Sequence, residues 1–255
     1  MKRCRKSEEP QELADLKRQE SECDWDSLRN EHPSCYEAIV DQLNRDQGGI
    51  CSYCERQLGD SDRQVAHFHP KSDSTPERNW ALEWGNLWLA CKGGTYRYSG
   101  SEAAYLEPIG ENRSCDEAKE AEIVDDVVYS PAQIPANPKI FKFRQSADSL
   151  EIVLNEGAIE ATGLCREKVQ ATVDTFNLNC RRLLAARIGV FKPIENAVKT
   201  IRNLDQGERQ RELFKSLARK HLEKSDGMFP EFFTMIRWRF GTVAEEYLQS
   251  INYDG

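Results

Sequence analysis

Apolar positions in the first fifty residues recur at helical spacing within an otherwise polar sequence. Leu13, Leu16, Trp25 and Leu28 punctuate residues 8–29, and Ile39, Val40 and Leu43 repeat across residues 34–45, so each set falls on one helical face. Two helices are expected there. Gly48-Gly49 breaks the pattern and opens residues 50–119, a stretch dense in Cys, His, Trp and Gly that cannot easily build a core from aliphatic side chains and looks organised by metal. Pro131, Pro135 and Pro138 mark residues 129–138 as a linker. Residues 139–143 and 150–154 have strand length with a polar turn between them, which predicts a hairpin. Beyond residue 161 the period becomes 3.6. Val169, Val173 and Phe176 share a face, then Leu184, Ile188 and Phe191, and after Pro193 come Ile194, Val198 and Ile201. Leu213, Leu217 and His221 continue the pattern, with Phe214, Ala218 and Leu222 beside them. Pro230 suits the first turn of a last helix whose apolar face is Phe232, Ile236, Phe240, Val243, Tyr247 and Ile251. The expected division is N-terminal helices over 1–48, a metal-stapled core over 49–128, a linker and hairpin over 129–160, and a C-terminal helical bundle over 161–255.

Composition narrows the class. Charged residues make up 31% of the chain and the mean hydropathy is -0.70, as expected of a polar globular protein. No stretch approaches the roughly 18 apolar residues of a membrane span, and the basic start runs into acidic sequence rather than an apolar signal core, so a cytoplasmic address without membrane contact is expected. A net charge of -8 is awkward for a nucleic-acid protein, because phosphate contacts require cations. The charge is uneven, however: residues 161–224 hold 14 Lys/Arg against 7 Asp/Glu, and residues 101–130 hold 2 against 9. A nucleic-acid footprint would have to be local or supplied by a partner.

Nine cysteines, an odd number with uneven spacing, fit poorly with a disulfide framework. Cys51-Ser-Tyr-Cys54 is a C-x2-C pair, shared by redox motifs and zinc knuckles alike. Cys91 closes an apolar run and Cys115 opens Cys-Asp-Glu-Ala-Lys. Four thiolates satisfy the tetrahedral preference of Zn2+, and such a closed site is a structural staple. The 23 residues between Cys91 and Cys115 exceed ordinary knuckle spacing, which leaves open that some of these are buried reduced thiols, as is expected for Cys4, Cys23, Cys35, Cys165 and Cys180. Redox chemistry at the C-x2-C pair would leave the second pair unexplained. His69 is expected in a loop contact, since Pro70 ends the strand. His32 and His221 lie in helical contexts with no partner in view. Trp80, Trp84 and Trp88 are expected to pack in the core or at its rim rather than stack on bases.

Between the two halves of that staple lies Val65-Ala-His67-Phe-His69-Pro-Lys71-Ser, followed by Trp84-Gly-Asn86-Leu-Trp88. Here the chain resembles the HNH nucleases, in which a hairpin ends in an acidic residue followed by His, a loop supplies an Asn before Leu, and a helix supplies a third polar residue beside the last zinc-binding Cys. His67, Asn86 and Asp116 occur in that order. The resemblance implies an α+β fold, a zinc-stapled ββα-metal core embedded in a mainly α-helical protein. It implies His67 as the general base for phosphodiester hydrolysis, since an imidazole titrates near neutrality. It further implies Asn86 as a positioning residue across the loop and Asp116 as ligand to a catalytic Mg2+ or Mn2+, which prefers oxygen donors; Lys71 is placed either to meet a phosphate or to be a solvated loop lysine, and Lys119 is the second candidate phosphate contact. One departure stands out: Ala66 occupies the place of the family's acidic residue. Loss of that carboxylate, natural or deliberate, implies weakened or abolished turnover.

The resemblance narrows further to the PtuB-type HNH proteins. It is carried by Cys51 to Glu55, by His-Phe-His-Pro-Lys-Ser (67–72), by Asn86 to Cys91, by Cys-Asp-x-x-Lys (115–119), and by Phe-Asn-Leu-Asn (176–179) leading to Leu183 and Arg187. That family belongs to Septu and retron-associated anti-phage systems, which implies a PtuA-type ABC ATPase as partner, a retron reverse transcriptase with its msDNA as a further one, and DNA or a structured RNA such as tRNA as substrate. Helical segments or the acidic stretch 101–130 would be the docking surfaces. The rival expectation is a catalytically inactive zinc module that binds nucleic acid or protein.

Overall fold

The computed structural model describes residues 1–95, 110–204 and 207–255. The N-terminal region forms α1 (Gln11–Gln19), α2 (Trp25–Glu31) and α3 (Pro33–Gln47), one helix more than the apolar spacing indicated. The extra start is local chemistry: the Asp24 carboxylate accepts from the backbone N–H of Ser27 at 2.8 Å and caps α2. Pro33 then opens α3 at a position where its missing N–H costs nothing. Gly48, with φ of +67°, ends α3, and a Cβ there would sit 2.4 Å from the Phe229 ring. Glycine is required there for both reasons.

The Cys- and His-rich stretch folds around an antiparallel pair, β1 (Arg63–His67) and β2 (Leu87–Cys91), followed by the short α4 (Asp116–Lys119). Ala66 pairs with Trp88 and His67 with Leu87, so alternate side chains face opposite ways. All five residues of β2 are buried. One face of the pair (Val65, Leu87, Leu89) packs on Leu13, Leu28, Ile39 and Leu43 of the N-terminal helices. The opposite face (Ala66, Trp88, Ala90) belongs to a second, larger core. Each wholly buried leucine in such a layer contributes about 1.5–3 kcal/mol.

The expected hairpin is present as β3 (Phe141–Gln145) and β4 (Leu150–Leu154), with Phe141, Phe143, Leu150 and Ile152 inward. Helices follow: α5 (Glu156–Thr162), which the sequence pattern did not indicate, α6 (Arg166–Thr175), α7 (Arg181–Arg202), α8 (Glu208–Leu222), α9 (Phe233–Phe240) and α10 (Thr242–Ser250). Pro193 lies on the exposed side of an unbroken α7. In α8 the inward residues are Ala218 and Leu222, while Leu213 is exposed, so of the two overlapping stripes the second one packs. The single last helix expected from Pro230 is corrected to two. Gly241 at φ of +57° separates α9 from α10, Pro230 lies outside both, and Ile251 is exposed. Residues 128–140 lie in the larger core through Val128, Ile134 and Ile140, and Pro131 accepts a backbone bond from Cys4 at 2.9 Å. That core runs from the four-cysteine region into the C-terminal helices.

Candidate active site and metal centre

The Gly48-Gly49 turn delivers the chain into the Cys51–Cys54 knuckle, closed by Cys51 N–H to Arg56 O at 2.8 Å and Glu55 N–H to Cys51 O at 3.0 Å. Cys91 ends β2. Cys115 precedes α4 and is anchored by its N–H to Phe176 O at 2.9 Å. Gly93, at φ of +55°, lets the chain pass 2.3 Å from Ser114 O at the point where a Cβ would stand, which brings the second cysteine pair home. The long spacer is therefore no obstacle. Cys51, Cys54, Cys91 and Cys115 are all buried and converge. Their Sγ atoms are 3.7 Å apart between Cys51 and Cys115, Cys54 and Cys91, and Cys91 and Cys115. That is far beyond a disulfide. It equals the edge of a tetrahedron whose sulfurs lie about 2.3 Å from a central Zn2+. The residues fit zinc.

Charge supports the fit. Four thiolates around a dication carry a net double negative charge, and two buried guanidiniums, Arg182 and Arg187, lie beside them. Burial acts to lower the Arg182 pKa, but the thiolates of Cys91, Cys54 and Cys115 outweigh it and hold the group above its ordinary value. Burial pulls Arg187 down to about 10 despite Cys54 and Cys180. Both remain cationic at neutral pH. Of the remaining cysteines, Cys4, Cys23, Cys35 and Cys180 are buried as expected, whereas Cys165 is exposed, standing just before α6 with its thiol 3.3 Å from the Glu167 carboxylate.

At the end of β1, His67 is 8% exposed, its ring edge-on to Trp25 at 4.5 Å. Its Nε2 lies 3.1 Å from the carbonyl oxygen of Ala81. A carbonyl only accepts, so Nε2 carries the proton and Nδ1 keeps the lone pair. Burial, then the charges of Lys71 and Lys119 against the Ala81 bond, lowers the His67 pKa to about 4. Lys119 is buried and its Nζ is 3.9 Å from an Asp116 carboxylate oxygen. Burial raises Asp116 to about 6, Lys119 acting the other way. The Lys119 charge thus acts on both His67 and Asp116. Lys71 is half exposed, 3.5 Å from Asp26.

Asn86 clamps the loop. Its Oδ1 accepts from the His69 N–H at 2.6 Å, and its Nδ2 donates to His69 O at 2.9 Å and Trp80 O at 2.8 Å. The clamp thus grips the peptide two residues beyond His67. His69, expected in a loop contact, is buried between two carboxylates. Its Nδ1 is 2.9 Å from Asp125 and its Nε2 2.9 Å from Asp73, with Trp80 stacked on the ring at 3.8 Å. Asp73 was legible as the neighbour four residues on; Asp125, 56 residues away, was not. Trp84 and Trp88 are core residues. His32 does have a partner, Glu20 at 3.2 Å, because the α1–α2 turn folds back on the start of α3.

The oxygen-ligand set expected for Mg2+ or Mn2+ is incomplete. Ala66 presents a methyl group on the strand face that α4 is tied to through Gln64 Nε2 and Glu117 Oε1 at 3.0 Å. Among the described residues no close group of three metal-ligating side chains includes Asp116. A catalytic cation held by Asp116 would take its remaining ligands from water and substrate phosphate.

A hairpin and a following helix, joined by four converging cysteines and carrying an imidazole at the strand end with an asparagine clamp opposite, form a core of the HNH nuclease kind. No protein-family model matches the chain. It is 31% identical over 223 residues to the protein named "Retron Ec83 putative HNH endonuclease" of Escherichia coli, a match covering 80% of this chain and 84% of that protein. The chain belongs to this family of retron-associated HNH endonucleases. No helix among the described residues is long and apolar enough to cross a membrane.

Proposed function

We propose that the chain is an endonuclease fold for hydrolysis of phosphodiester bonds in DNA or structured RNA, with His67 as general base. The carrying observation is the tautomer of His67: the Ala81 carbonyl fixes the proton on Nε2 and leaves Nδ1 to take a proton from water. The resulting hydroxide attacks phosphorus and the P–O bond to the leaving oxygen breaks. Lys119 and Lys71, whose charges both reach His67, would meet the phosphate, and Asn86 holds the loop that follows the base. Their positive charge depresses the base when no phosphate is present, and an anionic substrate between them would raise it. A zinc ion on the four cysteines would hold β2, the knuckle and α4 in register. Asp116 supplies one carboxylate toward a catalytic cation, and position 66 is where a second belongs, so the chain as it stands has little or no turnover of its own.

The test is cleavage of plasmid DNA and of tRNA in Mg2+. The Ala66→Glu variant is expected to gain metal-dependent cleavage, and adding His67→Ala to it should reduce the rate about 100-fold or more. Cleavage that survives the second change would remove His67 from its role. Absence of any gain at Ala66→Glu favours the second reading, a non-catalytic zinc module that binds nucleic acid or protein, to which Ala66 itself points. The relative's retron association supports anti-phage defence as the setting; a PtuA-type ABC ATPase and a retron reverse transcriptase with its msDNA are the partners proposed, and the cytoplasm the location. Within 110–130, the exposed Ile123 and Val127 beside acidic residues are the docking candidates; 101–109 lies outside the described residues.

A further inference from the structure

The turn between α1 and α2 holds a second group of metal-ligating side chains, remote in sequence from the four cysteines. Glu20 is the residue at which α1 stops, its backbone N–H bonded to Leu16 O. Cys23 follows in the turn, its N–H donating to Glu20 O at 3.0 Å. His32 is the joint between α2 and α3. The carboxylate of Glu20, the thiol of Cys23 and an imidazole nitrogen of His32 all lie within 4.8 Å of one another, and Glu20 Oε2 is 3.2 Å from His32 Nε2. That last separation is close to the roughly 3.4 Å edge of a tetrahedron with zinc–nitrogen and zinc–oxygen bonds of about 2.0–2.2 Å.

We propose that Glu20, Cys23 and His32 form a second zinc site. The donor set argues for the metal. One thiolate, one imidazole and one carboxylate suit a borderline-soft dication, whereas Mg2+ and Ca2+ select oxygen alone. The thiol is buried at 7% exposure, and the Glu20 and His32 side chains are 50% and 27% exposed. The sulfur side of the site is therefore closed by protein and the opposite side faces solvent. Three protein ligands with an open fourth position describe an exchangeable zinc centre rather than a closed staple. The turn is already braced without metal: Asn79 Nδ2 donates to Cys23 O at 2.8 Å, and the Asp24 carboxylate caps α2. Little ordering remains to oppose binding, and the half-exposed Glu20 is the arm that closes on the ion. As the ion binds, the Cys23 thiol releases its proton to solvent, the His32 nitrogen donates its lone pair, and water takes the fourth position.

The location ties the site to the rest of the molecule. Cys23 lines a cavity of about 530 Å³ whose walls include Trp25, Lys71 and Ala81. Trp25 packs on His67 and Ala81 accepts its hydrogen bond. The proposal does not depend on the nuclease reading. The rival account is an ordinary His32–Glu20 surface contact above a reduced thiol that donates to Asp24 O.

Zinc content of the full chain, purified with Zn2+ and dialysed against metal-free buffer, separates the two. Two equivalents per chain are expected, falling to one in Cys23→Ser and in His32→Gln. Because Cys23 is a core residue and its replacement can disturb folding, His32→Gln is the decisive variant, checked by an unchanged circular dichroism spectrum. A site that loses its ion in dialysis is read by titrating Zn2+ calorimetrically: one further saturable step is expected in the parent and none in His32→Gln. With Co2+ as probe, Cys23→Ser should remove an increment of thiolate-to-metal absorption and leave the four-thiolate spectrum intact. A parent chain with one equivalent and no further step, or two equivalents in parent and His32→Gln alike, overturns the proposal.

Discussion

His67 is held neutral by its surroundings. Burial, Lys71 and Lys119 hold its folded pKa near 4, below the ordinary value of 6.5, so the folded state resists the proton that the unfolded chain accepts. The associated stability is present above pH 6.5 and is lost as pH falls through 4. Replacing His67 by Gln should remove about 3 kcal/mol of that acid-limb loss, read as the difference in urea-unfolding free energy between pH 7 and pH 4. An unchanged limb would show that the imidazole is not buried as described. Asp116 acts with the opposite sign, because its pKa is raised to about 6 by burial. Its share of stability is present below the ordinary carboxylate range and lost as pH rises through 6. Ala66→Glu activity should therefore climb between pH 5 and 7 as Asp116 ionises.

At the scale of the element, the β1–β2 connection is an irregular loop of 19 residues between His67 and Leu87 that starts directly after the base, and Asn86 holds it by three hydrogen bonds to backbone. Asn86→Ala leaves the buried His69 N–H without an acceptor and should destabilise the fold by about 2–4 kcal/mol, with faster amide exchange confined first to residues 67–81. Exchange that accelerates evenly over the chain would show that the loop is not a separate unit. The same element explains two sequence-level outcomes. The order imidazole, asparagine, aspartate was readable because the resemblance to the HNH nucleases rests on residue types in sequence order. That His69 sits between Asp73 and Asp125 was not, since Asp125 arrives from beyond α4. The split of the last helix was missed because a single Gly241 inside an apolar stripe looks tolerable until its positive φ is seen.

For the whole molecule, the four cysteines lie in the same core as the C-terminal helices, and the buried Arg182 and Arg187 feel their charge. Withdrawing zinc leaves two guanidiniums beside protonating thiols, and a structural zinc centre contributes about as much as a domain's entire net stability. Chelation, or Cys54→Ser, should therefore melt α7 together with the knuckle in one cooperative transition at much lower temperature. Retention of the helical signal through that transition would show two independent units.

The sequence by itself determined what local chemistry determines: where most of the helices and the second hairpin lie, that four cysteines are candidate zinc ligands, and, through the family resemblance, that His67, Asn86 and Asp116 follow the nuclease order. Periodicity and donor type are properties of neighbouring residues and need no fold to be read. Tertiary structure decided what depends on distance: that sulfurs separated by up to 64 positions meet at 3.7 Å, that the buried Lys119 charge acts on both His67 and Asp116, and that Glu20 and His32 lie close to Cys23. Those contacts exist because burial of apolar faces on both sides of one strand pair forces remote segments together, and no local pattern encodes which remote segment arrives.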